Sequence, residues 1–413
     1  MAEQQVNWKL NIFLMWITQL FVLTGFEASM TFVPLLFRDN FGLVEQAQRG
    51  VYVSIFNFAG FFAYAVFCPF WGSLSDRFGV KIMLLRGFFV TCFFFPLMGY
   101  VSEPWQLIAL RFLTAACAGT TAAANILLVK TVPDKNMGFA LGLLGTAIWS
   151  GAVLGNVIGG IIVDMYGYKV TFWTCGILYF ISGVFTLFAQ DAQNISGASA
   201  SPKSRLRKGK WGIPEFTRSV TAMLLVMLFY TFVRRFEVPY IAMLVELITG
   251  AEKAAFWTGI VGASTCIGAV LSGVVIGYLS DRMAPQKIII PALLLAGIML
   301  IISGLTSNLT VLAAARTLMF FFSGSLFPVL QKILSAAAPQ RKRGAVFGWS
   351  TTFNNVGGML STILSGWIIS ISDARGVFIM AAVLTFILLP FAIKGINFAV
   401  KQPYTKAHST KQK

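Results

Sequence analysis

An all-α polytopic membrane fold of twelve helices in two six-helix repeats is predicted by three features of this 413-residue sequence. Hydrophobic residues make up 57% and charged residues only 11%, against roughly 25% charged in a soluble domain. Such a chain cannot surround one core with a wet surface, so its outer face must meet lipid. Apolar stretches of roughly 20 residues, enough to cross a hydrocarbon core as helices, recur along nearly the whole length. The two halves also repeat each other's local patterns at one fixed shift.

In order, the spans fall at 10–37, 51–72, 82–101, 105–129, 138–164 and 170–190, then at 218–245, 254–279, 287–306, 309–333, 344–371 and 376–394. The first is too long for the apolar core of a cleavable signal peptide and leads straight into further spans. The second ends in "GSLSDRFGVK", the fourth carries Arg111 and Gly119, and the fifth carries "GAVLGNVIGG". A polar, basic, Ser/Ala/Gly-rich segment follows the sixth and reads as a flexible linker. Span seven is interrupted by "RRFEVP", span eight ends in "GYLSDRMAPQK", and span ten carries Arg316 and Gly324. The expected divisions are therefore a six-helix half at 1–190, a linker at 191–216, a second half at 217–395 and a tail at 396–413.

Charge sets the orientation. Only Arg38, Arg49, Lys169, Lys253 and Arg375 fall on the side away from the linker, and Arg111, Arg234, Arg235 and Arg316 lie inside spans; the rest of the 32 Lys and Arg collect on the linker side. The positive-inside rule then places both termini in the cytoplasm of a cell whose inner membrane the protein crosses. The net charge of +17 reflects this bias rather than a nucleic-acid surface, because no basic helix alternates with aromatics in a soluble domain. The expected partners are the lipid bilayer, a small-molecule substrate and protons, with the protein acting as a monomer. The five cysteines all lie in apolar runs without a CxxC pair, and the single histidine, His408, is in the polar tail. Neither a metal site nor a cofactor is expected. The phosphate-cradling pattern G-x-x-x-x-G-K-[ST] is absent, so direct ATP drive is not expected.

The repeat is specific. Gly72, Asp76 and Arg77 recur as Gly277, Asp281 and Arg282; Arg111 recurs as Arg316, Gly119 as Gly324 and Val33-Pro34 as Val238-Pro239. All are displaced by 205 residues. Parallel six-plus-six repeats characterise one large class of transporters, whose substrate sites lie near the bilayer midplane. At this point "GSLSDRFGVK" resembles the signature loop of the major facilitator superfamily, and the weaker second copy sits where that family places it. Arg111 followed by Gly119 is similar to the family's second motif, which implies proton handling by Arg111. Across the chain, apart from linker and tail, "NWKLNIFLMW", "FWGSLSDRFGVKIMLLR" and "ALGLLGTAIWSGAVLG" resemble the drug:proton antiporter group of twelve-span exporters, the MdtG-like multidrug efflux proteins among them. The resemblance implies alternating access and efflux of small amphipathic molecules against a proton gradient, and not an enzyme.

One departure stands in span five. Gly151, Gly155, Gly159 and Gly160 match the antiporter motif, but Asn156 occupies the position of its proline. Glycines at i, i+4 and i+8 line one face and permit close approach of a neighbouring helix; the proline-dependent bend is lost. Asn156 can instead hydrogen-bond across helices.

Charges inside spans are costly and are functional suspects by default. Glu27 lies with Thr24 and Thr31 on one stripe of span one. Arg234 and Glu237 share a face of span seven with Tyr230, whereas Arg235 is rotated away. An Arg234–Glu237 pair could be purely structural, or Glu27, Arg111, Arg234 and Glu237 could form proton or substrate sites. Gly72, Asp76, Arg77, Gly79 and Lys81, with Asp281 and Arg282, form the expected gating loops, where a carboxylate can meet a helix N-terminus. Asn57, Asn125, Trp149, Gln331, Asn354 and Asn355 are candidate cavity residues. Two other readings stay open: an importer or dedicated exporter of an anionic metabolite, such as a sugar acid or siderophore, and a non-transporting scaffold or receptor.

Overall fold

The computed structural model describes residues 7–191, 217–338 and 343–401. Within them the chain forms helices α1 (Trp8–Met30), α2 (Val33–Phe41), α3 (Gln46–Phe78), α4 (Val80–Met98), α5 (Pro104–Cys117), α6 (Thr120–Thr131), α7 (Asp134–Leu187) and α8 (Arg218–Arg235). A 3₁₀ turn at Val238–Tyr240 leads to α9 (Ile241–Thr249), α10 (Ala254–Arg282), α11 (Pro285–Leu305), α12 (Leu309–Ser323), α13 (Leu326–Ala337), α14 (Arg343–Ile371) and α15 (Ala374–Lys401). A helix closes its own backbone hydrogen bonds, which is what a lipid-facing segment requires. Among the described residues ten helical runs are long and apolar enough to cross a membrane, where the sequence expectation is twelve spans. One of the ten, Asn136–Leu187, has 52 residues, and Arg343–Ile371, 29 residues long, is not among them. The 52-residue run is bent at Gly167, whose φ of 79° and ψ of 178° are non-helical; only glycine takes that backbone shape at no steric cost.

Local sequence sets the helix ends. The Asn7 side chain accepts from the Leu10 amide and Asn308 from those of Thr310 and Val311, relieving donors that a helix start leaves open. Glu103 and Gln106 close a capping box ahead of α5, with Pro104 in its first turn. The Val-Pro repeat marks two related breaks. Helix α1 stops at Met30 and α2 begins at Val33-Pro34, while α8 stops at Arg235 and Val238-Pro239 opens the 3₁₀ turn before α9. Proline lacks an amide hydrogen and fits the start of a helix rather than its interior.

By contacts the chain forms two compact units. Among the described residues unit 1 joins 7–191 with 239–267 and 369–371; unit 2 joins 217–238, 268–338, 343–368 and 372–401. In unit 1 the seam between α1 and α7 is built on glycine. A Cβ at Gly155 would stand 2.5 Å from the Thr24 carbonyl oxygen, and one at Gly159 2.5 Å from the Ala28 Cα. Helices this close gain van der Waals contact along their backbones, the principal cohesion available in lipid. The neighbouring face of α7 packs on the start of α10: a Cβ at Gly160 would lie 2.9 Å from the Ala255 carbonyl oxygen, and the Asn156 side chain fills the space over Gly262. Unit 2 is centred on α8, whose Met223, Met227 and Val233 pack with Leu293, Leu330, Leu334 and Ile396 from α11, α13 and α15.

Candidate functional site

In unit 2 the end of α8 places the charges. Because the helix ends at Arg235, Glu237 lies beyond it, and the continuous-helix pairing with Arg234 does not form. Glu237 Oε2 instead meets Arg316 Nη1 of α12 at 2.8 Å, with both side chains at most 3% exposed. Arg316 also lies over the rings of Phe320 and Phe378, at 5.2 and 5.4 Å. Buried opposite charges at this distance attract strongly, yet each must forgo hydration, so the pair holds only while both partners stay ionised and in place.

Arg234 is stacked over Phe320 at 4.1 Å, and its Nη1 points to the Met319 sulfur at 3.7 Å. Among the described residues no carboxylate lies within ion-pair distance of it. The Tyr230 hydroxyl donates to the Ser323 carbonyl at 2.7 Å. Tyr230, Arg234, Glu237, Met319 and Ser323 line a cavity of about 20 Å³ together with Leu293, Leu300 and Leu388. That is room for a single water beside the carboxylate, and far too little for an organic solute.

Unit 1 holds the related arginine. Arg111, the repeat mate of Arg316, lies 5.3 Å from the ring of Phe26 and 5.5 Å from that of Phe56, on opposite neighbours α1 and α3. Its guanidinium rests on Gly60, where a Cβ would come within 2.6 Å of Nε. Glu27 accepts from the Thr31 hydroxyl at 3.3 Å, but Thr24 donates to the Leu20 carbonyl instead. A Cβ at Gly155 would lie 2.9 Å from the Glu27 Cβ, which ties the carboxylate's backbone position to the α1–α7 seam.

The remaining candidates divide. Asn156 donates to the Ala152 carbonyl at 2.8 Å and reaches the Cys266 sulfur at 4.0 Å, so its amide is spent on its own helix and on α10. Gly79, at φ 93°, separates α3 from α4, while the Lys81 amide donates to Asp191 at 3.1 Å and its ammonium to the Leu187 carbonyl at 2.6 Å. Gly72 has open space around it, and Arg282 is stacked on Tyr278 at 4.2 Å. The side chains of Asp76, Arg77 and Asp281 lie outside the described residues, as do the linker after Asp191 and the tail after Lys401. Asn57 and Asn125 donate to carbonyls of their own helices, Val53 and Thr121. Asn354 accepts from Thr231 at 3.0 Å; Trp149, Gln331 and Asn355 are half-buried.

Two clusters carry no mark in the sequence reading. Gln19 is fully buried, accepts from the Thr121 hydroxyl at 2.7 Å and has no acceptor for its amide nitrogen among the described residues. Glu246, in the apolar "YIAMLVELIT", meets both Arg38 and Arg49. An acid in an otherwise apolar run was the available signal, and its lack of a repeat mate hid it.

A family model described as Major Facilitator Superfamily matches residues 15–256 and 223–412. The multidrug resistance protein MdtG of Proteus mirabilis is 28% identical over 394 residues, covering 94% of this chain and 96% of that protein. The MdtG of Yersinia enterocolitica is 30% identical over 388 residues, covering 92% of each. A bacterial homolog of the human lysosomal transporter Spinster, solved in an inward-facing and unoccupied conformation, superposes with a TM-score of 0.74 at 14% identity, over 96% of this chain and 98% of that one.

Proposed function

The chain belongs to the major facilitator superfamily and is a multi-pass membrane transporter, and from that premise we propose that it exports small amphipathic molecules in exchange for protons. The two MdtG proteins named above are called multidrug resistance proteins, which supports the same direction and breadth of cargo here. Both termini and the linker then face the cytoplasm, the membrane is the inner one, and the working unit is a monomer.

The observation that carries the coupling is the buried Glu237–Arg316 pair beside a water-sized cavity. A proton reaching Glu237 through a single water removes the negative partner. Arg316 is then left charged and unpaired in a low-dielectric site, a state that favours rearrangement of α12. Loss of the proton restores the pair. Glu27 supplies an acid in unit 1, although the 205-residue shift sets Phe232 and not Glu237 opposite it; Arg111 is the repeat mate of Arg316, so each half of the sequence brings one acid and one span-four-type arginine.

Transport of a panel of amphipathic dyes into inverted vesicles tests the reading. Accumulation should require an imposed proton gradient, and Glu237→Gln and Glu27→Gln should each abolish it while the protein still reaches the membrane. Gradient-dependent accumulation that survives both substitutions would falsify the coupling assignment.

A second reading rests on Arg234. A guanidinium with no carboxylate partner among the described residues, set over Phe320 at 4.1 Å, suits a cargo with an anionic group, which it would meet once the cavity, too small for a solute as it stands, has opened. If it holds, anionic members of the panel should depend on Arg234 and cationic ones should not.

A further inference from the structure

Unit 1 contains a second buried charge cluster, distinct from the acids assigned to coupling. Glu246 of α9 stands between two arginines: Oε1 is 3.0 Å from Arg38 Nη1, and Oε2 is 2.9 Å from Arg49 Nη2. Arg49 is fully buried, and Glu246 is its only ion-pair partner among the described residues. Arg38 is shared with Asp39 at 2.6 Å, and Asp39 in turn accepts from the Tyr168 hydroxyl at 2.6 Å. Two neutral contacts flank the cluster. The hydroxyls of Ser54 and Tyr240 lie 2.5 Å apart, and the Ile369 side chain fills the space over Gly50. Residues from the second half of the sequence are thus fastened to α2 and α3 around one carboxylate.

The chain entering α9 is also interrupted. Helix α8 ends at Arg235, and the boundary between the contact units falls between Val238 and Pro239, within the 3₁₀ turn. A short helix joined through a non-α segment can change its partners without unwinding, because the turn absorbs the backbone change.

We propose that Glu246, clamped by Arg38 and Arg49, is a breakable latch that holds α9 on α2 and α3 and opens once in each transport cycle, on the side away from the linker. The choice of charge over apolar packing has a physical reason. Buried ions repay their lost hydration by pairing, and they regain that hydration as soon as water enters. An ion-paired seam therefore holds tightly when dry and parts at little net cost when wet, whereas an apolar seam opened to water exposes greasy surface. The inference goes beyond proton-coupled export and does not depend on which solute or ion is carried.

Labelling of a cysteine at the seam tests it on the purified full chain in detergent. Ser54→Cys places a thiol at the Tyr240 contact, and the five native cysteines of the parent provide the background rate. A hydrophilic maleimide should modify Ser54→Cys slowly in the otherwise native protein. Glu246→Gln or Arg49→Gln should accelerate that modification about tenfold, the change expected when the open population rises by that factor. Arg49→Lys, which keeps the charge, should stay near the slow rate. If a variant at position 246 or 49 does not elute as a folded species, Arg38→Gln removes the more accessible arm and should give a smaller acceleration. Equal rates for Arg49→Lys and Arg49→Gln, or an unchanged rate in every variant, would overturn the latch. Because no transported solute enters this measurement, its failure is separate from failure of the export reading.

Discussion

Replacing Arg316 with Gln removes the one cation that is ion-paired with Glu237 among the described residues, and the cost can be worked from the geometry. At 2.8 Å and an effective dielectric of about 20, the gross attraction is about 6 kcal/mol. Desolvation of both ions offsets part of it. Breaking one side of such a pair nevertheless costs about 3–5 kcal/mol, because the surviving charge stays buried without a partner. Among the described residues Glu237 Oε2 and Arg316 Nη1 have no other hydrogen-bond partner, and the Phe320 and Phe378 rings beside Arg316 offset only part of the loss. Glu237→Gln and Arg316→Gln should each lower the apparent unfolding midpoint in detergent by several degrees. The double variant should lose clearly less than the sum, because two neutral amides replace two charges together. That leaves an interaction energy at or above about 2 kcal/mol, near the upper part of the usual range for contacting residues. The midpoints of all four proteins, followed by tryptophan fluorescence on heating, decide it. Additive losses would refute the pairing as an energetic unit. Coupled losses with intact gradient-driven transport in Glu237→Gln would refute its role in proton exchange and leave it as scaffolding.

Other substitutions test neighbouring parts of the structure. Gly60→Ala sets a methyl 2.6 Å from Arg111 Nε, so it should displace the guanidinium and reduce transport much as Arg111→Ala does, while leaving the yield of folded protein within about twofold, given the flexibility of that side chain. Gly155→Leu drives a side chain into the Thr24 carbonyl of α1; overpacking costs about 1–3 kcal/mol or more, and monodisperse protein on gel filtration should largely disappear. Asn156→Pro restores the antiporter proline but removes the bonds to Ala152 and Cys266. It should alter the vesicle leak rate of protons rather than overall folding, which a pH-sensitive dye inside the vesicles reports.

Much of this architecture is legible in the sequence because membrane constraints act locally. An apolar run of sufficient length must be a helix in lipid, and a repeat displaced by 205 residues exposes the equivalent positions without any knowledge of packing. The Val-Pro repeat is legible as an equivalence between the halves, but the expected spans 10–37 and 218–245 run through it; the helices instead stop at Met30 and Arg235, just before residues whose proline lacks a backbone donor. Partner choice is less legible. Arg234 and Glu237 are three apart in sequence, and an uninterrupted helix would pair them. The helix ends two residues before Glu237, and the carboxylate turns to Arg316, nearly 80 residues further along the chain. Glu246 is illegible on both counts: it has no repeat mate, and its two arginines are brought to it only by the packing of α2, α3 and α9.

The repeated glycines show how one sequence signal can conceal two physical demands. Gly119 begins α6 at φ 114°, with open space where a Cβ would point, so its requirement is conformational. Its repeat mate Gly324 has an ordinary helical φ of −59°, but a Cβ there would lie 2.6 Å from the Phe320 carbonyl oxygen of its own helix, 3.2 Å from the Ala269 Cα and 3.3 Å from the Ser272 Cβ. Its requirement is space, against the end of α12 and against α10. Alanine should therefore strain the backbone at 119, by about 1–2 kcal/mol, without disturbing any neighbour. At 324 alanine should push α12 and α10 apart and weaken the hydrogen bond from the Ser325 amide to Ser272, now 3.0 Å. D-alanine separates the two demands, since it accepts positive φ as glycine does. Installed at 119 by semisynthesis it should restore the midpoint lost with L-alanine, and restoration at 324 instead would show that the two copies had been assigned the wrong way round.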